Sequence, residues 1–163
     1  TIRPAYESVS AEALRIIEIQ FSQCQYQSIR LHGDCHMGNV LWREETPHFV
    51  DFDDSRSGPA IQDLWMLLSG DRASQLSQLR AIMEGYNDFR TFDPAELRLI
   101  EPLRTLRLMH QSAWIARRWH EPAFQRAFPF FESERYWSNH ILALREQCGA
   151  LIEEPLNLWG YSA

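Results

Sequence analysis

Leu31-His32-Gly33-Asp34-Cys35-His36-Met37-Gly38-Asn39-Val40-Leu41-Trp42, followed by Phe49-Val50-Asp51-Phe52-Asp53-Asp54, decides the reading of this 163-residue chain. The stretch sets an Asp, an Asn and a second Asp around one strand-turn-strand unit. Asp34 and Asn39 are five positions apart, with Gly33 and Gly38 beside them, so the backbone can curl and aim both side chains into one cavity. Asp51 stands at the end of a short apolar run. A carboxylate in such a loop can accept or orient a hydroxyl proton, and an amide oxygen can ligate magnesium without adding charge. A second carboxylate can bridge the metal and nucleotide phosphates. Asp34 and Asp51 are therefore the candidate catalytic residues, and Asn39 and Asp51 the candidate magnesium ligands.

Working outward, residues 28–31 form a brief strand that runs into the His32-Gly33-Asp34 loop. Residues 40–43 and 48–52 are short apolar runs separated by Glu44-Glu45-Thr46-Pro47, which predicts a small β-hairpin with a four-residue turn. Ser55-Arg56-Ser57-Gly58-Pro59 has turn composition, and Pro59 opens a helix through Leu68 that ends at Gly70-Asp71. On the N-terminal side, apolar residues at helical spacing predict a helix over residues 10–25, with Ser8 or Ser10 as N-cap. Downstream, helices are expected over about 73–89 and from Pro94, with Asp93 as N-cap, to about Trp119, kinked or split by Pro102. Pro122 and Pro129 bracket an aromatic-rich connector, and a last helix runs from Ser133 or Glu134 to about Ile152. The tail around Trp159 has no clear period.

The fold class is thus mostly α (α+β), with a small β-hairpin carrying the catalytic and metal loop. The length supports one domain over residues 1–163, with the motifs in 31–70 and a helical subdomain in 71–163. No apolar run approaches the roughly 20 residues that cross a bilayer. The net charge of −6 argues against a broad nucleic-acid footprint. Cys24, Cys35 and Cys148 are far apart and without C-x-x-C spacing, which suggests neither a disulfide framework nor a cysteine zinc site, but reduced thiols in a cytoplasm. The chain opens at Thr1 without Met or a signal segment, as a fragment or trimmed chain would. All 16 basic residues are Arg, so no Lys is available to contact nucleotide phosphates, and the seven glycines form no G-x-G-x-x-G.

His32-Gly33-Asp34-x-His36-x-Gly38-Asn39 followed by Val50-Asp51-Phe52-Asp53-Asp54, with Gly58-Pro59-Ala60 and Gln62-Asp63-Leu64-Trp65, resembles the aminoglycoside/choline kinase-like phosphotransferases. The nearest pattern is that of a bacterial stress-response Ser/Thr-kinase branch of that superfamily. The resemblance covers Leu31 to Gly70. It implies a protein-kinase-like C-terminal lobe that uses ATP and Mg2+ to phosphorylate a hydroxyl, Ser/Thr on a protein first and a small alcohol such as choline, homoserine or an aminoglycoside second. It assigns Asp34 as catalytic Asp, Asn39 as magnesium ligand and Asp51 as second catalytic, metal-binding Asp. His32 and Asp63 match positions that brace the catalytic loop. The family's N-terminal lobe, with its phosphate Lys and glycine-rich cover, has no counterpart here, so the chain alone is expected to be nearly inactive. An inactive kinase-like binding module is the non-enzymatic alternative.

Other readings compete at single residues. His32, Asp34 and His36 alternate and, in an unbroken strand, would face one side as zinc or iron ligands; Gly33 argues against that strand. His36 is a candidate phosphate or substrate contact, or a packing residue of the loop. Asp53 and Asp54 could hold a second cation or a cationic substrate, against a plain ion pair with Arg56. Trp65, Trp114, Trp119, Trp137 and Trp159 could form an aromatic box, but on apolar helix faces they read as core. Arg104, Arg107, Arg117 and Arg118 read as a solvated helix face with Glu partners rather than an anionic docking surface.

Overall fold

Helix caps and short strand pairings, rather than any large sheet, organise the chain. The computed structural model describes residues 2–158; Trp159 and the residues after it lie outside the described part, as does Thr1. The element order is α1 (Ile2–Ser22), β1 (Ile29–Leu31), β2 (Val40–Arg43), β3 (Thr46–Phe49), β4 (Arg56–Gly58), α2 (Ile61–Leu64), α3 (Arg72–Asn87), α4 (Ile100–Arg117), α5 (Pro122–Ala127) and α6 (Glu134–Ala150). Three 3-10 turns, Met37–Asn39, Trp65–Leu67 and Pro94–Leu99, connect them. This is the mostly helical α+β class that the sequence pattern predicts. No described helix is long and apolar enough to cross a membrane.

The chain divides into two compact units. One comprises residues 24–100 and the tail from 154, and it contains every candidate site residue. Here β1 pairs antiparallel with β4, matching Ile29 to Gly58, Arg30 to Ser57 and Leu31 to Arg56. The turn-like stretch 55–59 therefore contains a strand, because its backbone groups find a partner in β1. The β2–β3 hairpin is also present, but its turn is two residues rather than four. Glu44 and Glu45 carry φ of 49° and 62°, the doubly left-handed geometry that matches strand twist in two-residue hairpins. Pro47 lies inside β3 opposite Trp42. That pair follows the hydrogen-bonded Arg43–Thr46 closure and is a non-hydrogen-bonded pair, so the missing proline N–H removes no ladder bond.

The helix expected from Pro59 to Leu68 is a single turn, α2, followed by a 3-10 turn. Glu96 explains where it starts. Its buried carboxylate, 3% exposed, accepts the Ile61 N–H at 3.0 Å and satisfies an orphan donor of the helix N-terminus. Burial raises the Glu96 pKa, against the opposing hydrogen bonds from Ile61 and Ala60. Asp71 caps α3 through the Ser74 N–H. Asp93 caps as expected through the Ala95 N–H, but it opens a 3-10 turn that gives way to α4 at Ile100. The break precedes Pro102, which sits in the first turn of α4, where a proline removes no helical hydrogen bond.

The other unit comprises residues 2–23 and 101–153. Helix α1 begins eight residues before the predicted start, since Pro4 falls in its first turn and Ile2, Ala5 and Tyr6 pack against the Val9–Ile141–Leu144 cluster. Val9, Ala13 and Ile17, one helical turn apart, form its buried stripe. Ala13 and Ile17 meet Leu151 in a second cluster. Ser133 caps α6 by accepting the Tyr136 N–H at 3.2 Å, and α6 ends at Ala150, just before the expected Ile152. The connector 122–129 holds the short helix α5. Trp119 and Trp137 each lie 5.1 Å from Phe131, and the Arg118 guanidinium covers Trp114 at 5.2 Å. Trp65 is buried and Trp119 and Trp137 are half-buried, as the core reading expects, whereas Trp114 stays 39% exposed with Arg118 over its ring. Arg104 has the Glu partner expected, Glu101 at 2.8 Å, but the pair is half-buried rather than fully solvated.

Candidate active site

The loop between β1 and β2 is tied down through its backbone groups by side chains of α2. Asp63, on α2, accepts the His32 N–H through Oδ2 at 2.7 Å and the Gly33 N–H through Oδ1 at 2.8 Å. Two N–H groups on one carboxylate are charge-assisted bonds and fix the point where the chain leaves β1. Gln62 adds a bond from Nε2 to the Gly33 carbonyl at 3.2 Å. Gly33 has φ of 91°, and a Cβ built on it would lie 2.1 Å from the Asp54 carbonyl oxygen. Only glycine fits there.

His32 is buried at 8% exposure and spans the site. Its Nε2 lies 2.8 Å from the Val50 carbonyl, which can only accept, so Nε2 carries the proton. Nδ1 is then the acceptor, and it faces the Asp34 N–H at 3.4 Å. The Phe52 ring packs on it at 4.6 Å. With both nitrogens engaged by main chain, His32 is not a metal ligand alongside Asp34 and His36, and β1 ends at Leu31 before their alternation begins. No group of three His, Cys, Asp or Glu side chains suited to a metal occurs among the described residues.

Asn39 completes the frame. Its Nδ2 donates to the Asp34 carbonyl at 3.0 Å, and its own carbonyl accepts the Val50 N–H at 3.1 Å. Val50 is thus held at both ends, by Asn39 and by His32, and Asp51 follows immediately with φ of 65°. A left-handed non-glycine residue costs of order 1 kcal/mol and persists where its surroundings impose it. Asn39 is buried and Asp51 exposed. Since the Asn39 amide nitrogen is spent on Asp34, Oδ1 is its acceptor end. That oxygen and the Asp51 carboxylate are hard donors of the type magnesium takes.

The remaining candidates separate cleanly. Asp54 pairs with Arg56, whose guanidinium reaches its side chain at 3.3 Å and its carbonyl at 3.0 Å, while Asp53 is exposed. His36 Nε2 lies 3.4 Å from Asp34 Oδ2. Cys35 is buried between them, and burial, with Asp63 and Asp34 adding, pushes its thiol up to about 11, so it stays protonated at neutral pH. Sequence reasoning missed the part played by Val50 and by Gln62. Val50 acts through backbone groups that every residue possesses, so no side-chain pattern could reveal it.

The sequence profile of the phosphotransferase enzyme family matches residues 4–100. The chain belongs to this family. It is 47% identical over 157 residues to stress response kinase A of Escherichia coli O157:H7, covering 96% of this chain and 47% of that protein. It is 46% identical over 157 residues to the K12 strain's protein of the same name, with the same coverage. Against the serine/threonine protein kinase RdoA of Salmonella typhimurium LT2 the identity is 53% over 133 residues, 82% of this chain and 40% of that one. The chain spans about half the length of the curated relatives it matches.

Proposed function

We propose that this chain carries the acceptor-side, catalytic half of an ATP-dependent kinase whose first acceptor is a Ser or Thr hydroxyl on a protein. The observation that supports it most is the double tie of Asn39, whose Nδ2 donates to the Asp34 carbonyl and whose main-chain carbonyl accepts the N–H of Val50, the residue before Asp51. In this reading the Asp34 carboxylate orients the acceptor hydroxyl and takes its proton as the oxygen bonds to the γ-phosphorus. The bond to the β–γ bridging oxygen breaks and ADP leaves. Asn39 Oδ1 and the Asp51 carboxylate would hold Mg2+, which when bound would supply positive charge to the phosphates. His32 and Asp63 act on this chemistry by fixing the loop.

The names of the relatives, stress response kinase A and serine/threonine protein kinase RdoA, support a protein acceptor and a stress-response setting. With no Lys in the chain, the nucleotide phosphates need a further lobe, in a longer protein or supplied in trans. Positioning supplies much of the rate in this reaction class, so the chain alone is nearly inactive. The test is transfer from γ-labelled ATP, with and without Mg2+, by the full-length protein and its Asp51→Asn variant to protein substrates and to a panel of small alcohols. Metal-dependent label on Ser or Thr, lost in the variant, is the expected result. Label confined to an alcohol would replace the acceptor, and ATP binding without transfer would replace the enzyme by a binding module.

A further inference from the structure

We infer that His36 is a positioning residue for Asp34, a role that rests on the phosphotransferase reading above. Four features of the loop converge on it. The Gly38 N–H donates to His36 Nδ1 at 3.0 Å, so the neutral ring carries its proton on Nε2. That Nε2 lies 3.4 Å from Asp34 Oδ2. The His36 N–H is itself bonded to the Asp34 carbonyl at 2.9 Å, so ring and carboxylate are mounted on one tight turn. A Cβ on Gly38 would lie 2.8 Å from the ring Cε1 and 2.9 Å from Nδ1, so the ring keeps this place only beside a glycine.

The consequence is a ring of fixed tautomer whose N–H nitrogen stands 3.4 Å from one oxygen of the candidate base. As a neutral donor it turns the carboxylate without adding a charge beside it. A 3.4 Å separation is long for an N–H···O bond, and contacts of this kind are characteristically long before substrate arrives and tighten in the reacting complex. Capping of the 3-10 turn Met37–Asn39 through Nδ1 is the other service the ring performs. The two services use different nitrogens, which makes them separable. An Asn at position 36 has an oxygen where Nδ1 stands and keeps the cap, but falls short of Asp34. A Gln reaches Asp34 with its amide N–H and loses the cap.

The experiment compares His36→Asn and His36→Gln in the full-length protein with Asp34→Asn as reference, reading kcat, KM for ATP and thermal stability. The expected result is that His36→Asn lowers kcat about 10- to 100-fold, the scale of a misplaced catalytic group, with KM for ATP within about 2-fold. His36→Gln recovers to within about 5-fold of the native kcat despite a lower unfolding temperature, and adding His36→Asn to Asp34→Asn costs little more, as for residues acting as one unit. Native kcat in His36→Asn, or equal loss in both variants tracking the loss of stability, would overturn the role and leave His36 a turn cap. No transfer by the native protein to any acceptor would overturn the phosphotransferase reading, and this role with it.

Discussion

Replacing Gly33 with alanine attacks the loop at its tightest point. The new Cβ would stand 2.1 Å from the Asp54 carbonyl oxygen and 2.9 Å from its carbon, more than ~1 Å inside ordinary contact. Neither side yields easily. Asp54 is held by the Arg56 Nε at 3.0 Å, and Gly33 by Asp63 at 2.8 Å and Gln62 at 3.2 Å. The φ of 91° adds a backbone cost of about 1–2 kcal/mol for a residue with a side chain. Relief of the overlap by backbone shift adds about 1–3 kcal/mol, for a total of roughly 2–5 kcal/mol. At 2–4 °C per kcal/mol for a chain of this size, the unfolding temperature falls by roughly 5–15 °C. The assay is thermal unfolding followed by circular dichroism, with phosphoryl transfer measured in the full-length protein at a temperature where both forms are folded. Because Asp34 adjoins the displaced residue, kcat falls with stability. A loss under about 2 °C, together with native kcat, would refute this account of the loop.

Asp63→Asn keeps one acceptor but sets its amide N–H2 against a backbone donor, so it is expected to cost about 2–4 kcal/mol and to lower kcat without changing the acceptor used, measured by urea unfolding and steady-state kinetics. The pH dependence of stability is set in part by His140, which is 6% exposed, lies 3.1 Å from Ser112 Oγ, and has a pKa lowered by burial below 6.5. The unfolded chain then binds the proton first, so stability is full above about pH 6.5 and declines as pH falls toward the folded pKa. Urea midpoints from pH 8 to pH 5 should show that decline, and His140→Gln should flatten it; a parallel decline in the variant would remove His140 as its source.

How much of this was legible in the sequence depended on whether a feature is carried by side chains nearby in the chain. Asp34 and Asn39 sit within five positions, and their glycines announce the turn, so the motif could be read before any fold was known. Asp93 and Ser133 announce element starts by the same local logic, whereas Asp71, read as the end of the preceding helix, caps α3. By contrast, β4 is three residues of turn-like composition, and only β1, about 25 residues earlier, makes it a strand. The Val50 pivot uses main-chain atoms, and the positive φ of Asp51 follows from ties to His32 and Asn39 rather than from its own preference. Asp63 was reachable only by resemblance, since an Asp in a helical stretch has no local mark of the two amides it accepts.

The central claim is that Asp34 performs the chemistry in a loop that Asn39 ties through the Asp34 main-chain carbonyl. The most direct measurement is single-turnover transfer from γ-labelled ATP by the full-length protein and its Asp34→Asn variant, with ATP affinity measured alongside. The account predicts unchanged ATP affinity and transfer slowed about 10²- to 10⁴-fold, the range for loss of a positioned general base. Transfer at the native rate by Asp34→Asn would contradict it.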